Sequence, residues 1–148
     1  MKEEFSEYAN KSINELKLIQ PKWAFGKNHR KAMYTQDFLN VRHTIYYAKL
    51  YQIVEHLEFG EVQMHQLFTG ESINDTRVAR ILNRWNNHEF VDPPNIYVPK
   101  RSNLIYFGNG RHRTKTAYLL GQEQIPLIIP DEDVYLIKEV LQLSKKPF

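Results

Sequence analysis

Apolar residues recur at spacings of three and four over residues 3–19, where Phe5, Tyr8, Ala9, Ile13, Leu16 and Ile19 predict an amphipathic helix stopped by Pro21. The same periodicity in Phe38, Val41, Ile45, Ala48, Tyr51, Ile53 and Leu57 predicts a long helix over residues 36–57, ended by Gly60. Between them, residues 21–34 mix Trp23, Phe25 and Gly26 with Lys27, His29, Arg30 and Lys31 and read as loop. The texture then changes. Alternation at Val62 and Met64 predicts a strand over residues 61–67. Ser72, Asn74 or Asp75 can cap a helix whose Val78, Ile81, Leu82 and Trp85 face the core.

Asp92-Pro93-Pro94 cannot continue that helix. Residues 96–98 and 104–107 predict short strands joined by a turn over 100–103. A helix opening at Arg113 or Thr114 runs to Leu120 and closes at Gly121, and residues 125–129 form a buried strand. A last helix is expected over 136–143, behind the acidic cap of Asp131, Glu132 and Asp133. These elements predict an α+β protein, with a helical N-terminal extension over residues 1–59 and a small mixed sheet with helices over 60–148. No linker marks the boundary.

Composition narrows the functions open to such a chain. With 148 residues, 42% hydrophobic, a core can be buried, and no apolar run reaches membrane-spanning length. The start, MKEEFSEYANKS, has no apolar signal core, so a cytoplasmic location and no membrane partner are expected. There is no cysteine, which excludes disulfides, thiolate metal sites and cysteine chemistry. The net charge of +3 is a mild bias toward polyanions. Its distribution says more, since Lys100, Arg101, Arg111, Arg113 and Lys115 cluster in sequence.

Gly108-Asn109-Gly110 stands between an apolar strand and an amphipathic helix. Glycines there permit positive φ and close approach of a ligand to backbone. The helix that follows directs unpaired N–H groups and the positive end of its dipole at the turn, an arrangement suited to an anion. Arg111 and Arg113 add cations, and His112 adds a further donor. Taken by itself, the turn reads equally as a structural turn with exposed basic residues.

The order strand, Gly110-Arg111-His112-Arg113, Ala117, Leu120-Gly121, then Ile125-Pro126 and an apolar strand resembles the ParB/sulfiredoxin-like nucleotide-binding superfamily. The resemblance spans residues 61–130 and is specific in its central part. It implies that Gly110, Arg111, His112, Arg113 and Thr114 surround the phosphates of ATP or CTP, with Gly108 and Asn109 shaping the approach. Sulfiredoxins carry a catalytic cysteine where this chain has Arg111, so sulfinic acid reduction is excluded. The clamp and centromere-binding roles of ParB need a downstream DNA-binding domain and are not expected with eighteen residues after Pro130.

The size and the Gly-Arg-His-Arg-Thr form resemble most the plasmid fertility inhibition factor group. That resemblance implies a plasmid or phage protein acting on DNA or on a transfer complex, with nucleoside triphosphatase or nuclease activity. Two alternatives stay open: a module that holds the DNA backbone, and a non-enzymatic inhibitor that binds a protein of a mobile-element transfer or defence system. In the latter, Phe5, Tyr8, Trp23, Phe25, Tyr34 and Phe38 would form the partner surface.

Other residues carry weaker signals. Arg77, Arg80 and Arg84 line one helix opposite its apolar stripe and, with Lys100, Arg101 and Lys115, could extend a nucleic-acid surface. A solvated helix face is the favoured account of the three arginines. The six histidines show no metal-ligand spacing, so no protein-built metal site is expected, although magnesium can arrive with phosphates. Glu71, Asp75, Asp92 and the 131–133 cluster offer carboxylates, but none is singled out as a general base. Tyr46, Tyr47 and Tyr51, with Phe38, read as core and not as a base-stacking platform.

Overall fold

The computed structural model describes residues 5–31 and 41–148. His43–Lys49 is a strand, β1. It replaces the middle of the helix expected over 36–57, of which residues 36–40 lie outside the described residues. Helix α3 begins at Leu50 and ends at His56. The run Thr44, Ile45, Tyr46 and Tyr47 is β-branched and aromatic, a composition that fits a pleated surface. It pairs antiparallel with β4 (Gln124–Pro130) along its whole length, from His43 opposite Pro130 to Lys49 opposite Gln124. A helical period read locally was overridden by a cross-strand partner about eighty residues away.

Three further strands complete a mixed five-stranded sheet: β2 (Asn95–Tyr97), β3 (Tyr106–Asn109) and β5 (Leu143–Ser144). Their order is β3-β2-β4-β1-β5. The β2–β4 contact is parallel and the other pairs are antiparallel. Both faces of β4 are covered, since Ile125, Leu127, Ile128 and Ile129 are all buried. That is why its sequence is continuously apolar.

The helix expected over residues 3–19 is broken in two, α1 (Ser6–Ala9) and α2 (Ile13–Leu16). A capping box between Ser12 and Glu15 starts the second piece afresh. Residues 61–67 form turns and loop instead of the expected strand. Helix α4 covers Ser72–Asn86 and α5 covers Arg111–Leu119, close to expectation, although α5 opens two residues earlier. The terminal helix shortens to α6 (Val134–Ile137), and Leu143–Ser144 pairs with β1 instead.

Asp131, Glu132 and Asp133 form a short 3-10 turn ahead of α6, with Asp133 at its N-cap position and no side-chain cap bond. Asp131 Oδ1 accepts from the Thr44 hydroxyl at 2.6 Å, and Asp133 Oδ2 accepts from the Val98 N–H at 3.1 Å. These bonds tie the turn after β4 to β1 and to the residue that follows β2.

Among the described residues, the N-terminal ones pack on the rest of the chain. Tyr8 is buried against α4, and its hydroxyl donates to Asn83 Oδ1 at 3.0 Å. Trp23 meets Trp85 edge to face at 5.4 Å, and the Trp85 indole donates to the Lys22 carbonyl. With β1 inside the sheet, the expected division between residues 59 and 60 cuts through one continuous core. Among the described residues, no helix is long and apolar enough to cross a membrane.

Candidate functional site

Strand β3 ends at Asn109, the chain turns at Gly110, and α5 starts at Arg111. Gly110 has φ +100°, a left-handed conformation that disfavours any side chain. A Cβ there would stand 2.6 Å from Pro94 Cβ and 2.7 Å from Pro94 Cα. The turn is therefore seated on the Asp92-Pro93-Pro94 segment, all of it buried. At Gly108 a Cβ would overlap the Asn95 carboxamide on β2, so the backbone of β3 and that side chain lie in direct apposition.

The first turn of α5 has no side-chain cap. Its N-terminal end faces a cleft of about 440 Å³. The lining includes Arg77, Arg80 and Ile81 from α4, Tyr106 to Asn109 from β3, and Gly110 to Arg113 from the turn and α5. Glu58 and Gly60, from the segment after α3, close another side. Four arginines thus line one concavity, three of them exposed, and Glu58 is the carboxylate among its lining residues. An anion is the ligand this charge balance suits.

The arginines are not equivalent. Arg77, Arg80 and Arg111 are exposed, so their charges reach a ligand at little desolvation cost. Arg111 is steered by a bond from its Nη1 to the Phe59 carbonyl at 3.2 Å. Beneath it, Phe59 and Phe107 pack with ring centroids 5.0 Å apart. Arg113 is buried, and its Nη1 donates to the Asp92 carbonyl at 2.7 Å. That bond locks α5 to the segment under Gly110.

His112 is half-buried in the cleft wall. Burial, followed by the charges of Arg77, Lys115 and Arg111, lowers its pKa to about 4. At neutral pH it is an uncharged imidazole, able to donate from one nitrogen and accept at the other.

Two expected contacts lie elsewhere. Thr114 is fully buried, and its hydroxyl donates back to the Gly110 carbonyl at 2.8 Å, so it braces the turn instead of facing the cleft. Lys115 is also fully buried, with Nζ donating to Asn74 Oδ1 at 2.7 Å, and it contributes nothing to a nucleic-acid surface. Burial lowers the Lys115 pKa, while Asp75 and Glu71 oppose the shift. The network continues outward: Asn74 donates to the Leu67 carbonyl, and Asp75 accepts from the N–H groups of Thr69 and Gly70. A polar core bond thereby pins the loop in front of α4.

The basic helix face divides as well. Arg77 and Arg80 reach the cleft, but Arg84 turns away, donating to the Phe90 carbonyl from Nε and Nη2 and pairing with Glu89 at 3.1 Å. Lys100 and Arg101 are exposed in the β2–β3 turn and do not line the cleft. Among the described residues, no group of three or more His, Asp or Glu side chains could hold a metal ion. A divalent cation accompanying a polyphosphate would be held by the phosphates and water.

Sequence reasoning missed Glu58, Gly60, Ile81 and Tyr106 as cleft residues. No protein-family model, curated protein or solved structure matches the chain.

Proposed function

We propose that this protein binds the phosphates of a nucleotide, ATP or CTP, in the cleft at the start of α5. The observation that carries this reading is the placement of the exposed Arg77, Arg80 and Arg111 around an uncapped helix N-terminus behind a left-handed glycine. A volume of about 440 Å³ is in the range of small-ligand sites. The fold of residues 61–130 is, on this proposal, of the ParB/sulfiredoxin-like kind. The order α4, β2, β3, glycine turn, α5, β4 supports it. Within that frame the protein acts in the cytoplasm as a plasmid or phage accessory factor, on DNA or on a transfer complex.

Arg77, Arg80 and Arg111 would bind and orient the phosphates, with neutral His112 as a hydrogen-bond donor. Arg113 and Thr114 would hold the turn that presents the backbone N–H groups. Slow phosphoester hydrolysis, as a triphosphatase or nuclease, belongs to the same reading, since guanidinium groups stabilise charge developing on phosphoryl oxygens. Magnesium would be carried by the phosphates.

Calorimetric titration of the folded protein with ATP and with CTP, with and without magnesium, tests the reading. Saturable binding that weakens with salt and is lost in Arg111→Ala is expected. No heat at millimolar nucleotide would overturn it.

A second reading, a module for the DNA backbone, draws on the exposed placement of Arg77 and Arg80 beside the cleft. It predicts DNA binding with a steep salt dependence that survives saturation with nucleotide.

A further inference from the structure

Above the arginine cleft, β3 presents one residue that phosphate binding does not use. Tyr106 lines the cleft and is 37% exposed. On the neighbouring strand its register partner is Tyr97, 39% exposed. The two rings sit with centroids 6.4 Å apart and planes inclined by 39°, a supported aromatic pair on an open hairpin. Their strand neighbours Ile96 and Phe107, also in register, are buried and half-buried, so the two tyrosines are the more exposed pair of the hairpin.

The position of this pair matters more than its exposure. Tyr106 lines the same cleft as Gly110, Arg77, Arg80 and Arg111, while over Gly108 the Asn95 carboxamide takes the place a side chain would fill. A ligand with phosphates at Arg77, Arg80 and Arg111 therefore has a rigid aromatic surface beside it. Inorganic polyphosphate or a sugar phosphate would leave that surface wet. A planar base would cover it, and the ring is held in place by Tyr97, so little side-chain freedom is lost on stacking.

We infer that Tyr106, backed by Tyr97, is the base-stacking platform of this cleft, and that its ligand is a nucleobase-bearing phosphate. The inference rests on the phosphate-binding reading above and adds the part of the ligand that the arginines do not recognise. Stacking on an aromatic face is tolerant of base identity, because every base has a π-face. ATP and CTP are therefore expected to bind with similar strength, and affinity is shared between charge and stacking.

The test compares affinities for ATP, CTP and inorganic tripolyphosphate by calorimetry in the wild-type chain, Tyr106→Ala, Tyr106→Leu and Tyr106→Phe. The wild type is expected to prefer either nucleotide over tripolyphosphate by about tenfold or more, the usual worth of one stacked base. Tyr106→Ala should bring that ratio toward one, and Tyr106→Phe should retain it. Tyr106→Leu keeps apolar bulk against Tyr97 without a π-face, so it should also lose the ratio even if the alanine variant folds poorly.

Replacing the nucleotide with a short single-stranded oligothymidylate separates a strand from a free nucleotide as the source of the base. A preference that depends on Tyr106 in either arm supports the platform. Equal wild-type affinity for tripolyphosphate and for both base-bearing ligands overturns the platform and leaves phosphate binding standing. Failure of all ligands to bind overturns both.

Discussion

The buried Arg113 guanidinium donates to the main-chain carbonyl of Asp92 at 2.7 Å, fastening the first turn of α5 to the proline segment beneath it. Of the two arginines in the Arg-His-Arg motif, one is therefore chiefly a structural bolt and the other, Arg111, faces the cleft. The distinction decides which substitutions report on binding.

Arg113→Ala strands a buried carbonyl and removes a packed side chain, and should cost about 2–4 kcal/mol of stability. Arg111→Ala, at an exposed position, should change stability by less than about 0.5 kcal/mol. Urea denaturation of the two variants checks the ranking. Equal effects would show that Arg113 does not anchor the turn.

Gly110→Ala combines a left-handed φ of +100° with a Cβ 2.7 Å from the Pro94 backbone. Neither contact partner is the end of a flexible chain. A loss of at least about 3 kcal/mol is expected, from backbone strain and displacement of the 92–94 segment together. A variant with near wild-type thermal stability would mean that the turn is not seated as described.

His112 makes stability depend on pH in a defined direction. Its folded pKa of about 4 lies below the 6.5 of an unperturbed histidine. Between those values the unfolded chain holds more protons, so stability falls as pH drops from 6.5 toward 4 and is level above 6.5 for this group. Urea midpoints of wild type and His112→Gln, measured between pH 5 and about 7.5, should draw together on acidification. A constant difference across that range would remove His112 as the cause.

The Lys115–Asn74 bond supports a fourth prediction. Asn74→Ala leaves a buried ammonium without its 2.7 Å acceptor and frees the Leu67 carbonyl, and about 2–4 kcal/mol should be lost. Lys115→Met removes the charge together with its need for a partner, so it should cost less. Hydrogen exchange at Thr69 and Gly70 should quicken more in the asparagine variant. The reverse order of stabilities would contradict this account of the network.

Local sequence was enough for the parts whose partners are close in the chain. The apolar stripe of Val78, Ile81, Leu82 and Trp85 specified α4, and the glycine turn flanked by apolar runs specified β4 to within a residue and β3 and α5 to within two or three. The anion-friendly character of Gly110 and Arg111 was legible for the same reason, because a helix N-terminus and its preceding turn are contiguous. Tertiary contacts decided the rest. Ile45, Ala48 and their neighbours fit a helical period, yet pairing with β4 made them a strand in the middle of the core.

Burial, which no residue carries in its own identity, sorted the cations. Arg113 and Lys115 turned inward to satisfy Asp92 and Asn74, while Arg77 and Arg80 arrived at the cleft from the upstream helix α4. The sequence by itself determined the turn and its charge. Only the packing of α4 and the β2–β3 hairpin around that turn made it a cleft, because convergence of side chains from distant segments depends on long-range contacts that local periodicity does not encode.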